Sequence, residues 1–306
     1  MDPAQRIAVL IPCHNEQATI GKVIDDFRRE LPGARICVFD NQSTDDSAAI
    51  ARDRGAEVFH EPRLGKGYVI EAMFETIDAD LYVMVDGDDT YDAPSVHALL
   101  EEVAVGRAAM CVGARVASEA DAFRPLHVGG NYLVRKLVNR LGGATLRDIL
   151  SGYRVFNRRV AKCLPVLSSG FEVETEMTVQ MLFLKMHITE QPTPYRPRPE
   201  GSESKLRTCR DGGRVLWKIF SLFRQLKPLT FFGLVAIVFF LLGLAAGYAP
   251  IHDYLTLPNH EVKRFPLAIL ATGLMLLSAG SLFLGVLLHS LNWRFIELHN
   301  VLARRK

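Results

Sequence analysis

Short apolar runs alternate with amphipathic segments over the first 115 residues of the chain. The runs have the length of buried strands, and they read IAVLIP (7–12), RICVFD (35–40), AEVFH (56–60), LYVMVD (81–86) and AMCVGAR (109–115). Helical spacing is typical of the segments between them, at 15–31, 43–55, 65–77 and 94–105. Because strands that alternate with helices pair in parallel, the pattern predicts an α/β fold, with a mostly parallel sheet and helices on both faces.

Polar residues follow the carboxyl ends of the predicted strands. In a parallel sheet these ends share one edge, and ligands bind beyond it. The residues there are Pro12, Cys13, His14, Asn15, Glu16, Asp40, Asn41, Asp86, Gly87, Asp88 and Arg115. Their convergence predicts a ligand-binding site at that edge.

The middle of the chain, residues 116–210, has a less regular pattern. Helical spacing recurs at 131–141 and 170–183, whereas the prolines of QPTPYRPRP (191–199) predict a loop. Glu172, Glu174 and Glu176 begin the second of these segments. They are expected either to contact sugar or metal or to favour the helix dipole.

Two uncharged stretches, 229–251 and 266–288, mark the C-terminal part of the chain. Each is long enough for a helix that crosses a bilayer, although two buried core helices would look similar. The amphipathic, basic segment 211–227 precedes them and predicts a helix in the bilayer surface. We therefore expect a catalytic domain at 1–210, an interface helix at 211–227, and a membrane domain at 228–306 with spans at about 229–251 and 266–289.

The distribution of charge predicts the membrane topology of the chain. The formal net charge of +2 gives no sign of nucleic-acid binding. Basic residues flank the spans on their outer sides, whereas Lys263 and Arg264 in the connecting loop are offset by Asp253 and Glu261. The positive-inside rule then predicts a multi-pass protein of the cell membrane with its catalytic domain and both termini in the cytoplasm. The five cysteines lack CxxC or zinc spacing, which suits a reducing compartment.

The stretch LYVMVDGDDTYDA (81–93) runs a predicted strand into four carboxylates, and Asp86-Gly87-Asp88 forms a DxD at the strand end. A lone DxD is compatible with a solvated turn. At the rim of a sheet, however, its hard oxygen ligands suit Mg²⁺ or Mn²⁺, with substrate phosphates completing the metal shell. We expect Asp92 to cap the next helix.

Several motifs in order carry a resemblance to a known family. They are PCHNE (12–16), FDNQSTDDS (39–47), GKGYVIEAMFE (65–75), VDGDDTYDA (85–93), VGAR (112–115), SGYRVFNRR (151–159), GFEVETEM (170–177) and ESKLR (203–207). The chain resembles family 2 glycosyltransferases of the GT-A fold, and among these the polyprenyl-phosphate (dolichyl- or undecaprenyl-phosphate) hexosyltransferases. The resemblance covers roughly residues 6–227, and the two predicted spans are similar to those of one membrane-bound subgroup.

The resemblance implies a role for most residues of the polar edge. The implied nucleotide-binding residues are Pro12, Asn15, Glu16, Asp40, Lys66, Asp86 and Gly87. Asp86 and Asp88 would hold the metal, and Arg115 would bind phosphate. Thr90 is a departure, because the dolichyl-phosphate mannose synthases carry a metal-binding Gln two residues after the DxD. The resemblance therefore leaves open whether Thr90, Asp89 or water completes the metal shell.

The acceptor side is implied by a second set of residues. Asp148 occupies the position proposed for a catalytic base in this family. A phosphate acceptor is mostly dianionic at neutral pH and does not need a base, so Asp148 would serve either as a base or as a positioning residue. The implied ligands of the acceptor phosphate are Arg124, Arg154, Lys205 and Arg207. The alternative for each of them is a contact with anionic lipid.

The predicted function is the transfer of one hexose from a UDP- or GDP-sugar to a polyprenyl phosphate at the cytoplasmic membrane face. The reaction would invert the anomeric centre and depend on Mg²⁺ or Mn²⁺. Two alternatives are a polysaccharide synthase and a catalytically silent scaffold of the same fold. The sequence lacks the QxxRW motif of polysaccharide synthases. A homo-oligomer is compatible with a pair of short spans.

Overall fold

A computed structural model gives the fold of the chain and describes residues 5–117, 135–140, 143–199, 208–257 and 262–303. The chain divides into two compact units, Met1–Ile219 and Phe220–Lys306.

One sheet of seven strands organises the first unit within the described residues. The strands are β1 (Ile7–Cys13), β2 (Arg35–Asp40), β3 (Glu57–His60), β4 (Leu81–Met84), β5 (Met110–Ala117), β6 (Arg154–Asn157) and β7 (Ile188–Tyr195). Their order across the sheet is β3-β2-β1-β4-β6-β5-β7. Only β6 runs antiparallel to its neighbours β4 and β5, so the prediction of a mostly parallel sheet is confirmed.

Helices cover both faces of this sheet, as the sequence predicts. They are α1 (Ile20–Glu30), α2 (Ser47–Asp53), α3 (Lys66–Thr76), α4 (Val96–Ala104), α6 (Arg158–Cys163) and α7 (Val173–Phe183). Two further helices are α5 (residues 135–140) and α8 (Thr208–Leu226). Alternate residues of β1 point to opposite faces: Val9 and Ile11 pack in a cluster with α1 and α4, whereas Leu10 packs in a cluster with α3, α6 and α7. Burial of such side chains stabilises the sheet by roughly 1.5–3 kcal/mol each.

Strand β7 corrects one prediction from the sequence. Residues 191–199 were expected to form a loop, yet 191–195 belong to a strand that pairs in parallel with β5 over eight residues. Proline lacks the N–H that a sheet needs, but β7 is the last strand in the sheet order and therefore an edge strand. Pro192 and Pro194 are two residues apart, so both missing N–H groups can face away from β5.

Two long apolar helices form the core of the second unit: α9 (Pro228–Thr256) and α10 (Phe265–Ala303). By length and composition, the stretches Pro228–Thr256 and Phe265–Leu298 are long and apolar enough to cross a membrane. The helices approach closely at small residues, since Gly247 lies beside Ala271 and the Ser278 hydroxyl donates to the Ala236 carbonyl at 2.8 Å. The apolar C-terminal helices predicted from the sequence are confirmed.

Candidate active site

Each carboxylate in the acidic stretch that follows β4 faces a different cation. The pairs are Asp86–Lys66, Asp88–Arg198, Asp89–Lys22 and Asp92–Arg196, with N···O distances of 2.5, 2.6, 2.6 and 3.0 Å. Opposite charges at these distances favour the ionised carboxylates. The stretch can therefore hold four acids in seven residues because four basic side chains from other parts of the chain reach it.

Asp88 is the most buried of these four carboxylates, with 4% of the residue exposed. Burial and the neighbouring charge of Asp86 raise its pKa, although Arg198 opposes them. Its Oδ1 accepts hydrogen bonds from the Thr90 hydroxyl at 2.6 Å and the Thr90 amide at 3.2 Å. Thr90 therefore orients Asp88, and its predicted contact with a metal stays a prediction.

The side chain of Asp89 reaches helix α1. The residue adopts a left-handed backbone conformation, with φ of 57°, which Asp tolerates better than most residues. Its side chain binds Lys22 of α1, which also binds Asp26 at 2.9 Å. In this structure Asp89 links the acidic stretch to α1.

Asp92 caps the chain that follows it. Its Oδ2 accepts hydrogen bonds from the Ser95 amide at 3.3 Å and the Ser95 hydroxyl at 2.8 Å. The turn Ala93–Ser95 and helix α4 begin here, so the predicted cap is confirmed.

Lys66 joins the acidic stretch to helix α7. Its ammonium lies 2.5 Å from Asp86 and 2.6 Å from Glu174, which is 3% exposed. Burial lowers the pKa of Lys66, but the charges of Asp86 and Glu174 outweigh that effect and raise it overall. In this structure Lys66 therefore lies as a cation between two carboxylates, and Glu174 serves as its counterion.

Backbone packing holds the loop that carries Lys66. The Gly67 amide donates to the Ser169 carbonyl at 3.2 Å. A β-carbon at Gly67 would overlap the Ser168 carbonyl oxygen, and one at Gly65 would overlap that of Ser169. The segment 65–67, the Lys66 loop, thus lies directly against residues 168–169.

The ends of β1 and β2 meet at the same edge of the sheet. Pro12 pairs with Phe39 within the sheet, and the Asn15 side chain accepts the Thr44 amide at 2.7 Å. Asp40 is buried, and its carboxylate lies 3.2 Å from the His60 ring nitrogen. These predicted nucleotide-binding residues are therefore neighbours in space.

Arg198 connects that pair of strand ends to the acidic stretch. It reaches Asp88 at 2.6 Å and Glu16 at 3.4 Å. Glu16, Asp86, Asp88 and Lys66 thus lie around one part of the sheet edge, as expected for a single site. Arg198 was not predicted as a site residue, because its segment, 191–199, has the proline pattern of a loop.

Arg115 and Asp148 form a bidentate ion pair. The Arg115 Nε and Nη2 atoms lie 2.7 and 2.9 Å from the Asp148 oxygens, and the Arg115 amide donates to the same carboxylate at 3.1 Å. Burial opposes ionisation of Asp148, but Arg115 outweighs it and lowers the pKa of the carboxyl. A carboxylate with a lowered pKa is a weak base, so this geometry favours a positioning role for Asp148.

Breaking this ion pair is expected to destabilise the catalytic unit. Asp148→Asn leaves the largely buried Arg115 without its counterion and should lower the free energy of unfolding by about 3 kcal/mol. The folded pKa of Asp148 is below its unfolded value, so its contribution is complete above about pH 4 and is lost as the pH falls through the lowered pKa. Unfolding of the solubilised protein measures the effect.

The exposed Arg35–Glu57 ion pair, at 2.7 Å, supplies the control. Glu57→Gln should cost about 0–1 kcal/mol. A double variant, Arg115→Met with Asp148→Leu, should recover most of the lost stability because neither charge is then left unpaired. An Asp148→Asn protein as stable as Glu57→Gln would contradict the structural role of the pair.

The surroundings of Arg154 argue against its predicted contact with an acceptor phosphate. The residue is fully buried, and burial lowers its pKa. Its guanidinium donates to the Ser151 carbonyl at 2.8 Å, the Ile149 carbonyl at 2.6 Å and the Thr178 hydroxyl at 2.9 Å. Arg154 thus holds the segment between Asp148 and β6. The other predicted phosphate ligands, Arg124, Lys205 and Arg207, lie outside the described residues.

A cavity of about 770 Å³ lies beside the Arg115–Asp148 pair. Its walls carry charges of both signs, including Arg135, Arg147 and Glu190. Across the described parts of the chain, no group of three or more His, Cys, Asp or Glu side chains is placed to hold a metal by itself.

Comparisons with known proteins agree with this fold. The family model for glycosyl transferase family 2 matches residues 8–164 of the chain. The chain is 33% identical to glycosyltransferase AglJ of Haloferax volcanii over 290 residues, which is 94% of each chain. The fold and these matches define a glycosyltransferase. The chain belongs to glycosyl transferase family 2.

Two further proteins are similar over about two thirds of the chain. A dolichyl-phosphate hexose transferase of Haloferax volcanii is 28% identical over 209 residues, which is 68% of this chain and 90% of that protein. The crystal structure of glucosyl-3-phosphoglycerate synthase from Mycobacterium tuberculosis, in complex with Mn²⁺, UDP-glucose and phosphoglyceric acid, has a TM-score of 0.58. That match covers 72% of this chain and 80% of the synthase at 22% identity, and it supports the predicted GT-A fold.

Proposed function

We propose that the protein transfers one hexose from a UDP- or GDP-sugar to a polyprenyl phosphate, with inversion and with Mg²⁺ or Mn²⁺. The observation that carries the proposal is the pair Asp86 and Asp88 at the end of β4, which have Lys66 and Arg198 within 2.6 Å. Carboxylates and cations together suit a diphosphate with its divalent ion.

The donor would bind along the carboxyl ends of β1, β2 and β4. Asp40 would accept from the base, because both uracil and guanine present a ring N–H. Pro12, Asn15 and Glu16 would line the nucleoside, with Gly87 near the diphosphate. Lys66 and Arg198, which neutralise Asp86 and Asp88 at 2.5 and 2.6 Å in this structure, would turn to the phosphates of the donor.

The residues present fit a divalent ion with few protein ligands. Asp86 and Asp88 supply hard carboxylate oxygens, and donor phosphates would complete the shell. When bound, the ion supplies Lewis-acid stabilisation of the leaving diphosphate. Thr90 would keep Asp88 oriented through its 2.6 Å hydrogen bond. The Mn²⁺ and UDP-glucose in the structure of the mycobacterial synthase support this assignment.

A phosphate acceptor would bind at the arginines in the wall of the cavity, which are Arg115, Arg135 and Arg147. Such an acceptor is dianionic near neutral pH, so attack on the sugar needs orientation more than deprotonation. Arg115 would bring the acceptor phosphate near the donor, and Asp148 would hold Arg115 in place through its bidentate contact at 2.7 and 2.9 Å. A single displacement with this geometry inverts the anomeric centre.

The apolar helices favour a lipid form of that phosphate. We propose that α9 and α10 cross the cell membrane, that α8 lies in its cytoplasmic surface, and that both termini are cytoplasmic. The same arrangement keeps the catalytic unit within reach of an acceptor that cannot leave the bilayer. The related dolichyl-phosphate hexose transferase supports the lipid acceptor.

A panel of UDP- and GDP-sugars tests the donor half of the proposal. The melting temperature of the solubilised protein is measured with each nucleotide sugar, with and without Mn²⁺. One nucleotide class is expected to raise the melting temperature, and the rise should require the ion; a ligand at 100 times its Kd stabilises by about 2.7 kcal/mol. The absence of stabilisation by every donor would contradict the proposal.

A further inference from the structure

Glu176 is a buried carboxylate that the proposed reaction does not use. The residue is 1% exposed. Its Oε1 lies 2.8 Å from the Lys218 ammonium and accepts from the Gln180 amide at 3.0 Å. Its Oε2 accepts the backbone amides of Ser168 and Leu167 at 2.7 and 3.2 Å. A buried charge is tolerated only with such partners, so these four donors and Glu176 depend on one another.

One side of this cluster belongs to helix α8. Lys218 is followed by Ile219, which is 1% exposed and packs with Val138, Leu146 and Ile149. Ion pair and apolar contact together fix this part of α8 to the catalytic unit. Along the chain, α8 leads through Lys227 directly into the apolar helix α9.

The other side of the cluster reaches the Lys66 loop. Residues 168 and 169 lie directly against Gly67 and Gly65, and the Gly67 amide donates to the Ser169 carbonyl at 3.2 Å. Between those glycines stands Lys66, whose ammonium contacts Asp86 at 2.5 Å. The carboxylate of Glu176 therefore binds the backbone that supports Lys66.

Helix α7 strengthens the same connection. It carries Glu174, which binds Lys66 at 2.6 Å, and Glu176, which binds Lys218 at 2.8 Å. Residues two positions apart project from different sides of a helix. One turn of α7 thus binds Lys66 of the Lys66 loop on one side and Lys218 of α8 on the other.

We propose that Glu176 is a positioning residue that couples α8 to the Lys66 loop. The pairing of Lys218 with Glu176 keeps residues 167–169 in the place that supports Lys66 beside Asp86. Identification of that loop as the donor site rests on the proposed function. The consequence is that the placement of α8, the proposed membrane-surface helix, controls the affinity for the nucleotide without touching it.

Lys218→Met tests this coupling, because it removes the ammonium and keeps most of the side chain. Two measurements are made on the full-length solubilised protein. The first is hydrogen exchange of the backbone amides in 65–69 and 167–169, which needs no ligand. The second is binding of UDP and GDP in the presence of Mn²⁺, together with the separate KM values for donor and acceptor.

The expected result is faster exchange in both segments and roughly tenfold weaker nucleotide binding, within the range found for coupled sites. The KM for the acceptor should change less than about twofold, a separation that general loss of folded protein would not produce. Lys218→Arg should restore protection and affinity because it keeps a cation at that position. Glu176→Gln, which leaves Lys218 without its counterion, should reproduce the effects of Lys218→Met.

Arg224→Met is the matched control, because it removes a positive charge from an exposed position of the same helix. It should change neither measurement. Unchanged exchange at 65–69 in Lys218→Met would overturn the proposal, as would equal effects of Arg224→Met. Failure of the wild-type protein to bind any nucleotide would instead count against the proposed function, while hydrogen exchange would still decide the coupling.

Discussion

Asp88→Asn is expected to lower kcat/KM for the nucleotide-sugar donor by about 10²- to 10³-fold, the range observed when one preorganised electrostatic contact to the transition state is removed. Asparagine keeps the size of the side chain and can still accept a hydrogen bond from the Thr90 hydroxyl. It cannot supply the negative charge that faces Arg198 at 2.6 Å and that would hold the divalent ion. Steady-state kinetics at saturating Mn²⁺ measure the loss.

Asp89→Asn is the control for this variant. The adjacent carboxylate carries the same charge, but it binds Lys22 of α1 at 2.6 Å, whereas Asp88 binds Arg198. We expect a loss of less than about tenfold, since the ion pair involves the exposed Lys22. Equal losses in the two variants would show that the charge of the stretch matters and the position of Asp88 does not.

Gly152→Ala is expected to reduce transfer by about 10²-fold without touching any charged group. A β-carbon at this position would overlap the Asp86 Oδ2 atom and lie 2.9 Å from its Cγ. The backbone has little room to move away, because the Gly152 amide donates to the buried Tyr91 hydroxyl at 2.9 Å. Asp86 would therefore turn away from Lys66, and a small displacement of a catalytic group costs about 10²-fold in rate.

Gly33→Ala is the control, because a β-carbon at Gly33 meets nothing within 4 Å. Kinetics and melting temperature are measured on both variants. Overpacking at Gly152 should also cost roughly 1–3 kcal/mol of stability, whereas Gly33→Ala should leave both quantities unchanged. A Gly152→Ala protein with wild-type kinetics would show that the position of Asp86 is not critical.

Strands β1 to β5 were predicted from the sequence because an apolar run marks each of them. Each of β1, β2 and β5 contributes at least six residues, and the helices between them have clear spacing. Strand β6 (Arg154–Asn157) is as short as β3 and β4, but its place between β4 and β5 depends on pairing with strands distant in the chain. Strand β7 contains two prolines, which are acceptable only because the strand lies at the edge. Local pattern does not reveal which strand will be an edge.

The residues of the candidate site were also predicted only in part from the sequence. Asp40, Asp86 and Asp88 could be predicted because they follow apolar runs directly, so that topology brings them to one edge. Among their cationic partners, Lys66 was expected near the nucleotide only through the family resemblance, and Arg198 was not predicted because it lies far from Asp88 along the chain. Arg154 shows the reverse error: a basic residue in a motif suggests a phosphate ligand, but complete burial and hydrogen bonds to Ser151, Ile149 and Thr178 give it a structural role.

Transfer of labelled sugar into lipid tests the central proposal most directly. The full-length protein is reconstituted in liposomes with or without a polyprenyl phosphate and given UDP- or GDP-sugars that carry a radiolabelled hexose. Label is expected to enter the organic phase with one nucleoside diphosphate released per hexose, and transfer should require both the lipid phosphate and Mg²⁺ or Mn²⁺. Label that stays in the aqueous phase with every donor, or that enters the organic phase without the lipid phosphate, would contradict the proposal.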